Sequence, residues 1–195
     1  MKQARMSVGL VRTQSPVAEP LTVDEAKAQC RVENDVEDAQ FSEWITAARE
    51  RAEAITGQSF ITQTHVLTLD FWPDEILLAH GPIQAISSIT YLDNDGERQT
   101  WVEDEYRLVN KKQPPRIVPA VNCDWPNAAV ADGSIEVTFI AGYGLAGTDV
   151  PAGIKAAMKL MIAHWYLHRE DTDTVPKQAM DILSNFRSGS LYGAA

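Results

Sequence analysis

Apolar positions change their spacing twice along this chain. Phe41, Trp44, Ile45, Ala48, Ala52 and Ile55 recur at helical intervals and predict a long helix, with Gly57 as its stop. A shorter helix over residues 23–32 precedes it. There "LTVDEAKAQCRV" opens with a capping box: Thr22 can cap the first turn, and Glu25 can reach back from three residues later. The pattern then becomes β-like. "SFITQTHVLTLDF", "EILLA" and "AISSITYLD" are rich in β-branched residues and predict strands, the last two separated by a Gly81-Pro82 turn. "DNDGE" predicts a hairpin turned at Asp95-Gly96, with short strands near residues 99–102 and 106–109. "KKQPP" and "DWPNAAVADG" read as loops. "SIEVTFIA" alternates, with Ile135, Val137, Phe139 and Ala141 on one face, Ser134, Glu136 and Thr138 on the other, and Ile140 the exception. Helical spacing returns after Pro151, where Ile154, Ala157, Met158, Met161, Ile162 and Trp165 form an apolar stripe. "PKQAMDILSNF" predicts a last short helix before the tail "RSGSLYGAA".

Helices thus bracket a block of strands, which predicts an α+β fold rather than an alternating parallel sheet. The expected layout is a flexible arm over residues 1–20, helices over 21–58 and a β-rich middle over 59–142. Helices follow over 143–187, then a flexible tail over 188–195. The length, 195 residues, suits one domain with room for a subdomain. No apolar run reaches the ~18 residues that a membrane helix needs, and the N-terminus makes a poor signal peptide. Cys30 and Cys123 lie far apart, which argues against a disulfide framework or zinc cluster and for a reducing compartment.

The formal net charge of −10 argues against a protein that grips nucleic acid over its whole surface. The charge is uneven: between residues 24 and 43, seven acids face only Lys27 and Arg31. Such a run is a solvated helical face or, more specifically, a surface that repels DNA.

Several chemical motifs are incomplete. Gly142, Gly144 and Gly147 match the G-x-G-x-x-G spacing, but Pro151 and three further residues separate them from the next helix. No lysine followed by serine or threonine completes a phosphate loop. His164 and His168 share a helix face at the spacing of a metal pair, with Glu170 or Asp171 as possible third ligands. Trp165 stands where a metalloprotease needs glutamate. No nucleophile elbow or cysteine nucleophile context is present. Three functional classes stay open at this point: an assembly protein, a metal-dependent enzyme using His164 and His168, and a small-molecule or nucleotide binder using residues 142–147. Trp44, Trp165 and Tyr166 read as core. Tyr143 and Tyr192 are harder to place there and suit protein contacts.

Taken in order, these segments resemble the head-tail connector, or adaptor, proteins of tailed bacteriophages and gene transfer agents. The resemblance spans residues 21–187. It is carried by "LTVDEAKAQCRVENDVEDAQFSEWITAARERAEAITGQSF", "GPIQAISSITYLDNDGE", "DWP", "IEVTFIAGYG", "VPAGIKAAMKLMIAHWYLHRE" and "VPKQAMDILSNFR". One departure is Leu167-His168 after Tyr166, where the family commonly has Glu-Asn; this weakens the case for a metal pair.

The resemblance implies a helical connector core with an inserted antiparallel β-rich subdomain, no catalysis, no cofactor and no bound metal. It implies a homo-oligomeric ring, usually twelve-fold, in the neck of a virion or virion-like particle assembled in the host cytoplasm. Expected partners are the portal above and the next neck or tail (stopper-type) protein below. DNA passes through without specific binding, and no membrane is involved. Twelve copies would carry about −120 formal charge. On this reading Asp35, Glu37, Asp38 and Glu43 are candidate channel-lining acids. Tyr143, Trp165, Arg169 and Glu170 are candidate subunit contacts, and Phe186, Arg187, Leu191 and Tyr192 are candidate portal-docking residues.

Overall fold

The computed structural model describes residues 8–188. In chain order its elements are β1 (Val8–Gln14), α1 (Val23–Cys30), α2 (Asp38–Thr56), β2 (Gln63–Leu69), β3 (Ile76–Leu77) and β4 (Ile83–Leu92). They continue with β5 (Arg98–Thr100), β6 (Tyr106–Val109), β7 (Arg116–Pro119), β8 (Ile135–Ala141), α3 (Ala152–Leu167) and α4 (Lys177–Ser184). The fold is α+β, with four helices and wholly antiparallel sheets among the described residues. Its contacts separate into two compact units. One holds the helices and comes from residues 16–62 and 142–188; the other holds the strands and comes from residues 8–15 and 63–141. No described helix is long and apolar enough to cross a membrane.

The helical unit begins as its sequence dictates. Thr22 Oγ1 accepts from the Glu25 N–H at 3.1 Å, and the Glu25 carboxylate accepts from the Thr22 N–H at 3.0 Å. Both satisfy donors that a helix start leaves without partners. Helix α2 ends at Gly57, whose φ of 65° is the left-handed conformation that glycine adopts without a Cβ clash. Phe41, Ile45, Ala48 and Ala52 of α2 and Ile154, Met158, Met161 and Ile162 of α3 share one core with Leu183 of α4. Charge is buried here too. Arg49, only 3% exposed, donates to Glu19 at 2.8 Å and to Glu53 at 3.1 Å, and Glu53 also accepts from the Phe60 N–H at 2.8 Å.

The strand unit contains a five-stranded sheet in the order β1-β2-β8-β4-β5 and a three-stranded sheet in the order β3-β7-β6. Strand β8 is central and alternates as its sequence predicts: Ile135, Val137, Phe139 and Ala141 are buried. Its register against β2 sets Leu67 opposite Val137 and Leu69 opposite Ile135, so both apolar sets face the same core.

Two elements depart from the sequence reading. Residues 8–14, expected within a flexible arm, form edge strand β1, with Val8 opposite Leu69 and Arg12 opposite His65. Only Leu10 of β1 is even half-buried. Backbone pairing rather than an apolar face holds it, and hydropathy spacing does not register that. Strand β7, in a stretch with no strand prediction, is held by pairing with both β3 and β6.

Candidate functional site

The glycine turn after β8 is filled by its own chain. Gly142 has φ of 133°, and a Cβ there would lie 2.6 Å from the Ile61 carbonyl carbon and oxygen. A Cβ on Gly147 would lie 2.6 Å from the Pro20 oxygen. The Tyr143 N–H donates to the Phe60 carbonyl at 3.1 Å, and the Thr62 N–H donates to the Gly144 carbonyl at 2.9 Å. These glycines give close backbone approach, but the approaching group is another loop of the same unit. Residues 142–147 therefore form no open phosphate cradle. Tyr143 is likewise explained within the chain. It is half-buried against the helical core, and its hydroxyl donates to Gln58.

The paired histidines sit near the end of α3, with ring centroids 4.8 Å apart. Each faces a different carboxylate. His164 Nε2 lies 3.8 Å from Asp171 Oδ2, and His168 Nδ1 lies 3.9 Å from Glu170 Oε1. The four groups do not converge on one point, and the described residues contain no cluster of three or more His, Cys, Asp or Glu side chains placed to hold a metal.

The acid-rich segment is largely neutralised. Lys27, 5% exposed, donates to Asp35 at 2.6 Å and to Asp38 at 2.7 Å. The hydrogen bond from Lys27 holds the Asp35 carboxyl below its ordinary pKa, and the same bonds raise that of the ammonium. Glu37 pairs with Arg169 at 2.6 Å, and the Arg169 guanidinium also lies over the rings of Tyr166, at 5.3 Å, and Trp44, at 5.7 Å. Of the four candidate channel acids, only Glu43 lacks a basic partner among the described residues; its contact is Gln40 at 3.2 Å.

The remaining candidates divide by exposure. Trp165 is 3% exposed, and its Nε1 donates to the Thr174 carbonyl at 3.0 Å. It is a core residue of its unit and leaves no indole surface for a neighbouring subunit. Arg169 and Glu170 are exposed. Phe186 packs on the helical core beside Gly153. Arg187 Nε donates to the Ile55 carbonyl at 3.1 Å, and the Ser188 N–H donates to the Thr56 carbonyl at 2.8 Å. The expected loose tail is thus tied down through residue 188. It satisfies carbonyls at the end of α2 that would otherwise lack donors. Leu191 and Tyr192 lie outside the described residues.

Sequence reading missed two features. Trp72, Tyr91, Trp101, Tyr106 and Trp125 form one aromatic cluster, with the Trp72 and Trp125 rings 4.9 Å apart. Arg107, Lys112 and Arg116 line a cleft of about 300 Å³ with Glu75, Val109 and Val118. The density of bases in "RLVNKKQPPRI" was the available signal for this cleft.

Comparison with known proteins agrees with the resemblance seen in the sequence. Residues 20–97 match the family described as phage gp6-like head-tail connector protein. No curated protein matches the chain. Among solved structures, a chain from the neck of an empty GTA particle, computed with C6 symmetry, superposes with a TM-score of 0.78 at 22% identity, covering 95% of this chain and 98% of that one. A chain from the neck of the native GTA particle, computed with C12 symmetry, gives 0.76 at 23% identity, and one from the virion of the native gene transfer agent particle gives 0.75 at 23%, each with the same coverage. At these identities the superpositions establish a shared fold.

Proposed function

We propose that this protein is a non-enzymatic head-tail connector in the neck of a phage or gene-transfer-agent particle. It assembles as a homo-oligomeric ring, twelve-fold, beneath the portal. There it extends the DNA channel and offers a docking surface to the next neck or tail component. Assembly takes place in the host cytoplasm. The observation that carries this reading is the agreement of two comparisons: a connector family match over residues 20–97, and a neck-particle fold covering 95% of the chain. The geometry favours it over catalysis, because the glycine turn is closed by its own chain and the histidines do not converge.

Within this reading exposed Glu170, and Arg169 beside it although already paired with Glu37, are the candidates for subunit contact. Glu43 and Asp35 are the most exposed of the candidate channel acids. Net negative charge lets the genome slide, because an acidic wall does not hold phosphates. Portal docking falls to Leu191 and Tyr192, since Phe186 and Arg187 are engaged within the chain.

Negative-stain microscopy of the purified protein, alone and mixed with its cognate portal, tests the proposal. Rings alone, or a new layer on the portal, are expected. A monomer that ignores the portal would sink it.

A further inference from the structure

The strand unit carries its charge unevenly. Residues 8–15 and 63–141 contain six bases against twelve acids, yet four of those bases, Arg107, Lys111, Lys112 and Arg116, gather around β6, β7 and the loop joining them. Strand register explains the gathering. Arg107 stands opposite Val118 and Val109 opposite Arg116, so these four side chains share one face of the three-stranded sheet. The opposite face, with Leu108 and Ile117, packs into the core.

Only Arg116 is partnered, through one ion pair with Glu75, and its Nε is buried without a hydrogen-bond acceptor. Arg107, Lys111 and Lys112 are exposed and make no ion pair among the described residues. Four adjacent bases against one acid are self-repelling, and an anion arriving from outside relieves that repulsion.

The same strand has an opposite pole. Glu103, Asp104 and Glu105 form an exposed run immediately before β6. Glu105 accepts from Trp101 Nε1 at 2.9 Å, while Glu103 and Asp104 make no ion pair among the described residues. The lysines follow the far end of this four-residue strand, roughly 13 Å away at ~3.3 Å per residue. A ring closes through a heterologous interface, in which one surface of each copy meets a different surface of the next. An acidic pole and a basic pole on one rigid strand pair supply such complementary surfaces.

We propose that the basic cleft of Arg107, Lys112 and Arg116, with Lys111 beside it in the loop, is one side of the subunit interface, and that it receives the Glu103–Glu105 run of a second copy of this chain. The inference rests on the connector reading above and deepens it. A second copy is favoured over DNA because an overall charge of −10 opposes approach of a polyanion, whereas each copy brings its own short acidic run.

The test uses the full chain in mass photometry and negative stain, alone and on the cognate portal. If the unmodified protein assembles in neither condition, the connector reading fails and this inference falls with it. If it assembles, R107E/K112E and E103K/D104K are each expected to reduce rings at least tenfold. An equimolar mixture of the two variants should restore them, because each presents the charge that the other lacks. K111A/K112A, confined to an exposed loop, should lower the salt concentration at which rings dissolve. Normal rings from R107E/K112E, a mixture that stays monomeric, or an unchanged salt midpoint for K111A/K112A would each overturn the interface while leaving the connector reading intact. So would loss of retention of a 30-base-pair duplex with assembly unaffected, which would assign the cleft to nucleic acid.

Discussion

The two compact units bury ionisable groups in opposite ways. In the helical unit charge meets charge: Lys27 is held by Asp35 and Asp38, and Arg49 by Glu19 and Glu53. In the strand unit His65 is held by rings, stacked on His80 at 5.0 Å and Phe139 at 5.5 Å. Burial pushes its pKa down from 6.5 to about 4, assisted by His80 and Arg12. The charged partners of the helical unit lie at mixed distances along the chain, Glu53 one turn beyond Arg49, Asp35 eight residues beyond Lys27 and Glu19 thirty residues before Arg49. The aromatic cluster of the strand unit draws on residues from 72 to 125. One unit neutralises its buried charges by ion pairing, the other buries an imidazole among rings.

The contrast can be broken from either side. Trp101→Ala removes a 3%-exposed indole from the centre of the aromatic cluster and should cost about 3–5 kcal/mol. Hydrogen exchange should show the loss concentrated in β4 to β8. Arg49→Ala removes the guanidinium that Glu19 and Glu53 share, at a cost of about 3 kcal/mol or more by denaturant unfolding. Exchange should rise first in α2. Equal protection loss in both regions for either variant would erase the distinction.

Acid should separate the units more gently. Because the folded pKa of His65 lies below its ordinary value, its contribution is complete above about pH 6.5. That contribution falls as pH drops toward 4, where the unfolded chain has taken up a proton and the folded chain has not. The loss is about 2–3 kcal/mol, and the lowered pKa of His80 acts in the same direction. His65→Phe should flatten this part of the stability–pH curve. The Lys27–Asp35 pair has a lower window. Asp35 contributes above its ordinary pKa of 3.8 and loses that contribution only as pH falls below it. Strand-unit exchange should therefore accelerate at a higher pH than helical-unit exchange. Smallest is Thr22→Ala, which removes one half of the capping box and should cost about 1 kcal/mol, visible as fraying of α1.

Legibility in the sequence follows the range of each contact rather than the unit that holds it. The cap at Thr22, the stop at Gly57 and the alternation of β8 were readable because each depends on groups within a few residues. The α+β class followed from the order of those segments. The candidate site was less readable. Tyr143 looked unexplained until Gln58 and Phe60 met it, and of the two readings of Trp165, as core and as subunit contact, burial favours the core. Arg187 and Ser188 looked loose because the carbonyls that they engage are more than 130 residues away in the chain.

The sequence by itself determined the elements and their caps, since periodicity and hydrogen bonding within a turn act along the chain. Tertiary structure alone decided which charges are free. Pairing neutralises Asp35, Glu37 and Asp38 with distant or neighbouring bases, while strand register sets Arg107 and Arg116 diagonally on one face. Neutralisation and exposure depend on through-space distance, which no spacing along one strand or helix encodes.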